Sequence, residues 1–140
     1  MDAINELVNI LTKEILDYKE KLRETSISNI YQTKDITHEY IIGILFEIGR
    51  YNGYLSLPEF QPFKGRALRI DIVWVNSEGK IQFAFEIDKS PKKNSIEKLI
   101  SLPDYTQKII ISYGYYFKPE KTKGTGIVNI NLTASKLMCL

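Results

Sequence analysis

LRIDIVWVNSEGKIQFAFEID, residues 68–88, decides how this chain of 140 residues folds. Its two ends, Leu68–Val75 and Ile81–Asp88, are dense in β-branched and aromatic residues, which fit a pleated, half-buried surface. Asn76-Ser77-Glu78-Gly79 between them has the turn chemistry of a hairpin. Successive side chains of a strand point to opposite faces. Phe83, Phe85 and Ile87 therefore share one face, and Ala84, Glu86 and Asp88 share the other. The apolar face goes to the core, and the two acids stand side by side with Cα atoms about 6–7 Å apart. In the partner strand, Asp71 interrupts an apolar run, where a charge is costly unless something pairs with it.

Three carboxylates gathered on one hairpin repel one another, and a hard divalent cation relieves that repulsion. Mg²⁺ suits one to three carboxylates completed by waters and phosphate oxygens. Such a site polarises a phosphoryl group, generates hydroxide and stabilises a leaving oxygen. Asp71, Glu86 and Asp88 are thus candidate ligands for Mg²⁺ or Mn²⁺. The competing reading is that strand-end acids are solvated and that an arginine pairs with Asp71.

On the C-terminal side, Pro91 breaks the second strand. Asn94 and Glu97 have the spacing of a capping box, and Ile96, Leu99, Ile100 and Leu102 give the helix that follows an apolar side. Pro103-Asp104 stops it. KIIISY, residues 108–113, is a near-continuous apolar run, as a buried strand requires. A Lys/Gly/Pro-rich loop, residues 118–126, leads to a last strand over 127–132. The tail from residue 134 reads as a short helix or as irregular chain.

On the N-terminal side, residues 54–57 read as a strand closed by Pro58. A helix capped by Asp35 or Thr37 runs to about Arg50, with Ile41, Ile42, Leu45, Phe46 and Ile48 inward and with Gly49 and Gly53 ending it. Residues 25–34 read as a loop. Residues 2–23 carry a heptad seam of Ile4, Val8, Leu11, Ile15, Tyr18 and Leu22. That seam serves either packing on its own domain or a homodimer. The order implies an α/β fold with a mixed central sheet covered by helices, in a single domain over residues 1–140. Residues 1–24 form an additional N-terminal helix, and the core runs from about 35 to 135.

No apolar run approaches the roughly 18 residues of a membrane-spanning helix, and the acidic start Met1–Glu6 does not resemble a signal peptide. A lone Cys139 cannot form an internal disulfide, which fits a reducing, cytoplasmic setting. Charge is unevenly spread: residues 1–60 carry six Lys/Arg against ten Asp/Glu, and residues 61–140 carry thirteen against seven. A basic region around a small acidic cluster suits a polyanion such as nucleic acid, although lysines also merely solubilise. Lys89, Lys92, Lys93 and Lys98 flank the acids, and a helix N-terminus at Asn94 is itself an anion site; a solvated basic loop is the other reading. Lys118, Lys121 and Lys123 carry the same ambiguity, and Tyr113, Tyr115 and Tyr116 serve either base stacking or the sheet. There is no Walker loop, zinc spacing, Gly-x-Ser-x-Gly or GxGxxG.

These segments resemble the PD-(D/E)XK phosphodiesterase superfamily, the restriction-endonuclease-like fold with its αβββαβ core. THEYIIGILFEIGRYNGY resembles the family's first helix, RIDIVW its Asp strand and FEIDKS its Glu-x-Lys strand, so the likeness covers roughly residues 35–115. It implies a Mg²⁺- or Mn²⁺-dependent nuclease that hydrolyses phosphodiester bonds in DNA. Asp71 and Glu86 are then the metal acids and Glu39 the helix acid, with Glu47 its rival. The family's lysine slot, two residues after Glu86, holds Asp88, and Lys89 lies one further on. Asp88 or Lys89 then orients the attacking water. His38, the single histidine, is either structural or a phosphate-binding group or base. The alternative is a non-catalytic nucleic-acid-binding or assembly protein on the same fold.

Overall fold

The computed structural model describes residues 6, 7, 9, 10, 13, 14, 17, 33–62, 68–114 and 119–132, with 33–37 and 119 by backbone alone. Helix α1 is Thr33–Tyr51 and α2 is Lys93–Ile100. The strands are β1 Leu55–Phe60, β2 Ile70–Val75, β3 Ile81–Asp88, β4 Gln107–Ser112 and β5 Val128–Asn131, with a 3-10 turn at Pro119–Thr122. Residues 6, 7, 9, 10, 13, 14 and 17 are helical and precede α1. Among the described residues no helix is long and apolar enough to cross a membrane.

The five strands lie side by side in chain order. β1, β2 and β3 form an antiparallel meander, and β4 and β5 run parallel to β3. This is the mixed sheet that a hairpin followed by a strand–helix–strand crossover dictates. The hairpin turn closes through Asn76, whose Oδ1 accepts the backbone N–H groups of Glu78 and Lys80. Gly79 takes φ 78° there, a conformation that favours glycine. A register shift at Trp74/Val75 leaves Gln82 as an extra residue of β3, and its side chain accepts a bond from Asn76 Nδ2. β3 and β4 are buried on both faces at their centres, which explains why neither reads as a simple alternation.

The helices cover opposite faces. Ile41 and Leu45 of α1 join Ile72, Trp74, Phe85, Ile87, Ile109 and Ile111 in one core, which Leu7 of the N-terminal segment also enters. Ile96 and Leu99 of α2 join Val73, Ala84 and Ile110 in the other. Phe83, Phe85 and Ile87 thus face α1 and Ala84 faces α2, as strand alternation requires. The seam residues from Ile4 to Leu22 lie outside the described residues, as does the tail from residue 133.

Several expected boundaries move. α1 begins at Thr33, so Asp35 and Thr37 lie within it rather than capping it. Gly49 is inside the helix as well. A Cβ there would overlap Ser56 Oγ and the Trp74 indole, which donates Nε1–H to Leu45 O at 3.0 Å. The helix is left instead at Gly53, with φ 86°. Pro58 sits within β1 rather than closing it, which an edge strand tolerates because one side of it makes no ladder bonds. α2 starts one residue before Asn94; its N-cap position is Lys92, and no side chain of its own caps it, so the Asn94–Glu97 capping box does not form.

Candidate functional site

β2 pairs with β3 through Ile72 opposite Phe85, and one step outward Asp71 comes opposite Glu86. There the side chains replace the backbone ladder. The Asp71 N–H donates to Glu86 Oε2 at 2.9 Å, and the Ile87 N–H donates to Asp71 Oδ2 at 2.8 Å. The two carboxylates therefore fill the gap where the strands part. An N–H bond to a carboxylate is stronger than one between neutral groups.

Two basic side chains close on this pair from opposite layers. His38 of α1 brings Nε2 to 3.4 Å from Asp71 Oδ2, while its Nδ1 lies 3.2 Å from Glu39 Oε2. Lys98 of α2 places Nζ 2.9 Å from Glu86 Oε1 and donates to Arg69 O at 2.8 Å. Glu86 is 2% exposed and Lys98 17%, so the ion pair is largely withdrawn from water. Burial, then the neighbouring Asp71 charge, push Glu86 up to about 7, against the lowering pull of Lys98. His38 is raised from its ordinary value, chiefly by its hydrogen bond to Asp71, with burial opposing.

Asp88 follows Glu86 on the same side of a regular strand: the β3–β4 register holds through Asp88 opposite Ser112, with no bulge. Beyond it, Tyr113 N–H donates to Asp88 O and Gly114 N–H to Lys89 O. A Cβ on Gly114 would meet Lys89 O, so only glycine lets the strands approach this closely. Asp88 accepts hydrogen bonds from the Ser95 hydroxyl and the Lys92 backbone N–H, and so caps α2 from the strand. Its other oxygen, Oδ2, is buried and has no partner. Burial raises the Asp88 pKa, with Ser95 and Lys92 opposing.

Asp71, Glu86 and Asp88 line one cleft of about 480 Å³ together with His38, Lys89, Lys92, Asn94, Lys98 and Tyr113. Lys89 and Lys92 are exposed at it. Lys93 is exposed and does not line it, and Lys98 is committed to Glu86 rather than free on the surface. Glu39 does not line it either; it is 76% exposed and touches the acids only through His38. Glu47 lies on the surface near Arg50. Lys121 donates Nζ to Pro91 O. Tyr115, Tyr116 and Lys118 lie outside the described residues.

Two members of the cluster were not legible as such: Lys98 read as one of four flanking cations, and His38 as a lone histidine. The signal for Lys98 was its spacing, because it follows Ser95 by three residues and so shares the buried side of α2 that Asp88 meets.

For a divalent cation the donor set is chemically apt, since it is all oxygen. Both contacts of Asp71 use Oδ2, and Asp88 Oδ2 is unpartnered. Among the described residues, however, no three His, Cys, Asp or Glu side chains already converge as a metal cage. Lys98 and His38 stand against two of the acids instead. Set against family models, curated proteins and solved structures, the chain matches none of them.

Proposed function

We propose that this chain is a metal-dependent nuclease that hydrolyses phosphodiester bonds in DNA, on a sheet of the restriction-endonuclease-like kind. The observation that carries the reading is the break in the β2–β3 ladder. There Asp71 and Glu86 are wedged between the strands, beside the unpartnered Asp88 Oδ2 and within hydrogen-bond reach of Lys98. A structural pair of acids would be satisfied by its partners; an orphaned carboxylate oxygen at the same cleft calls for a ligand.

Asp71, Glu86 and Asp88 would hold Mg²⁺ or Mn²⁺. When bound, the ion supplies Lewis acidity toward a phosphoryl oxygen. The chain's own groups do the rest. Asp88, beside Glu86 on β3, orients the attacking water, the task of a positioned acid–base group. Lys98, 2.9 Å from Glu86 Oε1, would hold that carboxylate in place from α2. Lys89, just past β3, and Lys92, at the N-cap position of α2, hold the phosphate backbone by charge and carry no base preference.

The test is cleavage of duplex and single-stranded DNA with Mg²⁺, with Mn²⁺ and with chelator. The expected result is metal-dependent cutting that Asp71→Asn reduces at least a hundredfold. Cutting that survives the chelator, or that Asp71→Asn leaves intact, overturns it.

A second reading is favoured by the internal neutralisation of the acids by Lys98 and His38: a protein that binds nucleic acid on the same cleft without cutting it. It expects salt-dependent binding and no cleavage under any of these conditions.

A further inference from the structure

The reading of Asp71 as a site acid raises the question of what turns it out of its strand. β1 and β2 pair through Leu57 opposite Val73, Pro58 opposite Ile72 and Phe60 opposite Ile70; the step between the last two, Glu59 facing Asp71, is missing from the ladder. Glu59 has φ 50°, and it is the one described non-glycine residue in the left-handed region. The alternation of faces fails at this step in both strands. Leu57 and Val73 pack toward α2, and so do Phe60 and Ile70, three residues away in each strand, where strict alternation would put them on the α1 side. Ser56, one residue before Leu57, faces α1 and donates to Phe46 O.

We infer that the left-handed backbone at Glu59 is the positioning device of the site: it reverses the alternation of faces in the β1–β2 ribbon without changing its register and delivers the Asp71 carboxylate into the gap between β2 and β3. The inference rests on the proposed role of Asp71. Without the turn, the register would carry Asp71 on the α2 side, in line with Val73. With it, Oδ2 reaches the Ile87 N–H and His38 of the opposite layer. The Glu59 side chain has no comparable task. It is 75% exposed and its one ion pair, to Arg69, is 3.9 Å long and solvent-facing, a contact worth little. Left-handed φ in a bulky residue is strained and persists where surrounding structure over-determines it, which is most often at functional sites.

The experiment uses the full chain labelled for amide hydrogen exchange, with Mn²⁺ affinity measured in parallel. The probes are the Asp71 and Ile87 amides, whose N–H groups are bonded to the carboxylates, against the β3–β4 amides as internal standard. Glycine accepts the left-handed conformation and a β-branched residue does not. Glu59→Gly should therefore keep both amides and the Mn²⁺ affinity within about twofold of wild type, although it removes the carboxylate. Glu59→Val should speed exchange at both amides at least tenfold and weaken Mn²⁺ by a similar factor while β3–β4 stays protected. If Glu59→Val does not fold, Glu59→Asn and Glu59→Ala replace it, and protection must follow the order Gly, Asn, Ala.

Equal protection in Gly and Val variants overturns the inference. So does loss in Glu59→Gly, which would assign the role to the carboxylate. Wild-type protein that ignores Mn²⁺ would count against the metal site alone, because the amide result is read without metal.

Discussion

Asp71 and Glu86 face each other across the β2–β3 ladder and pin the strands apart with their own carboxylates. Glu86 takes the N–H of Asp71 at 2.9 Å, and Asp71 takes the N–H of the residue after Glu86 at 2.8 Å. Each acid spends one oxygen on backbone. That arrangement ties both side chains to the backbone, as a preorganised site requires, and it leaves Glu86 its other oxygen. In Glu86 that oxygen is met by Lys98.

Binding of Mn²⁺ or Mg²⁺ should raise the melting temperature by mass action, by an amount that corresponds to about 2.7 kcal/mol at a hundredfold excess over Kd. Asp71→Asn keeps an acceptor for the Ile87 N–H but loses the charge. The variant should melt near the wild type without metal and show no metal-induced shift in calorimetry. A full shift in the variant would remove Asp71 from the site.

Stability of the metal-free protein should fall as pH rises. Glu86 is raised from 4.5 to about 7, so between those values the folded state keeps a proton that the unfolded state has released. The sign is then negative: stability is greatest below about pH 4.5 for this group, is lost through pH 7, and stays lower above it. That difference corresponds to about 3 kcal/mol. The upward shifts of His38 and Asp88 act in the same direction. Urea denaturation of wild type and Glu86→Gln between pH 5 and 8 checks this. The variant should show a much flatter profile. Mn²⁺, which competes with these protons, should stabilise more at pH 8 than at pH 5.5.

Lys98→Met should destabilise more than a surface lysine change does. It leaves Glu86, 2% exposed, without its counter-ion, and at pH 8, where Glu86 is ionised, removing one partner of a buried pair costs on the order of 3–5 kcal/mol. The double variant Lys98→Met with Glu86→Gln should recover much of that loss. A double-mutant cycle by chemical denaturation measures the coupling, and additive losses would show that the two charges act independently.

Asp88→Ala should reduce cleavage at least a hundredfold, within the range of a positioned acid–base group, whereas Lys89→Ala should cost about tenfold or less. The regular β3–β4 register puts Asp88 beside Glu86 and leaves Lys89 exposed. The reverse ranking in single-turnover assays would mean that Lys89 swings into the site when DNA binds.

The hairpin, the buried run of β4, the mixed sheet and the three acids were all readable along the chain. Ile81–Asp88 reproduces its expected bounds, since it depends on local pattern: dense β-branched and aromatic residues, a turn of Asn and Gly, and alternation that puts Glu86 and Asp88 on one side. What pattern alone could not decide was the company those acids keep. Glu39 and His38 are neighbours on one helix, and only the docking of α1 on the sheet turns His38 toward Asp71 and leaves Glu39 in solvent. Lys98 and Glu86 lie twelve residues apart, and only the crossover of α2 over the sheet makes them an ion pair. Asn94 had the residue type of a cap, yet the helix begins before it with Lys92 at the N-cap position, and Asp88 of a neighbouring strand takes the Lys92 N–H. The left-handed turn at Glu59 left no mark in composition at all. Periodicity and turn chemistry act between neighbours in sequence and are written there, whereas pairing of charges and relief of strain act between neighbours in space and are settled only when the layers pack.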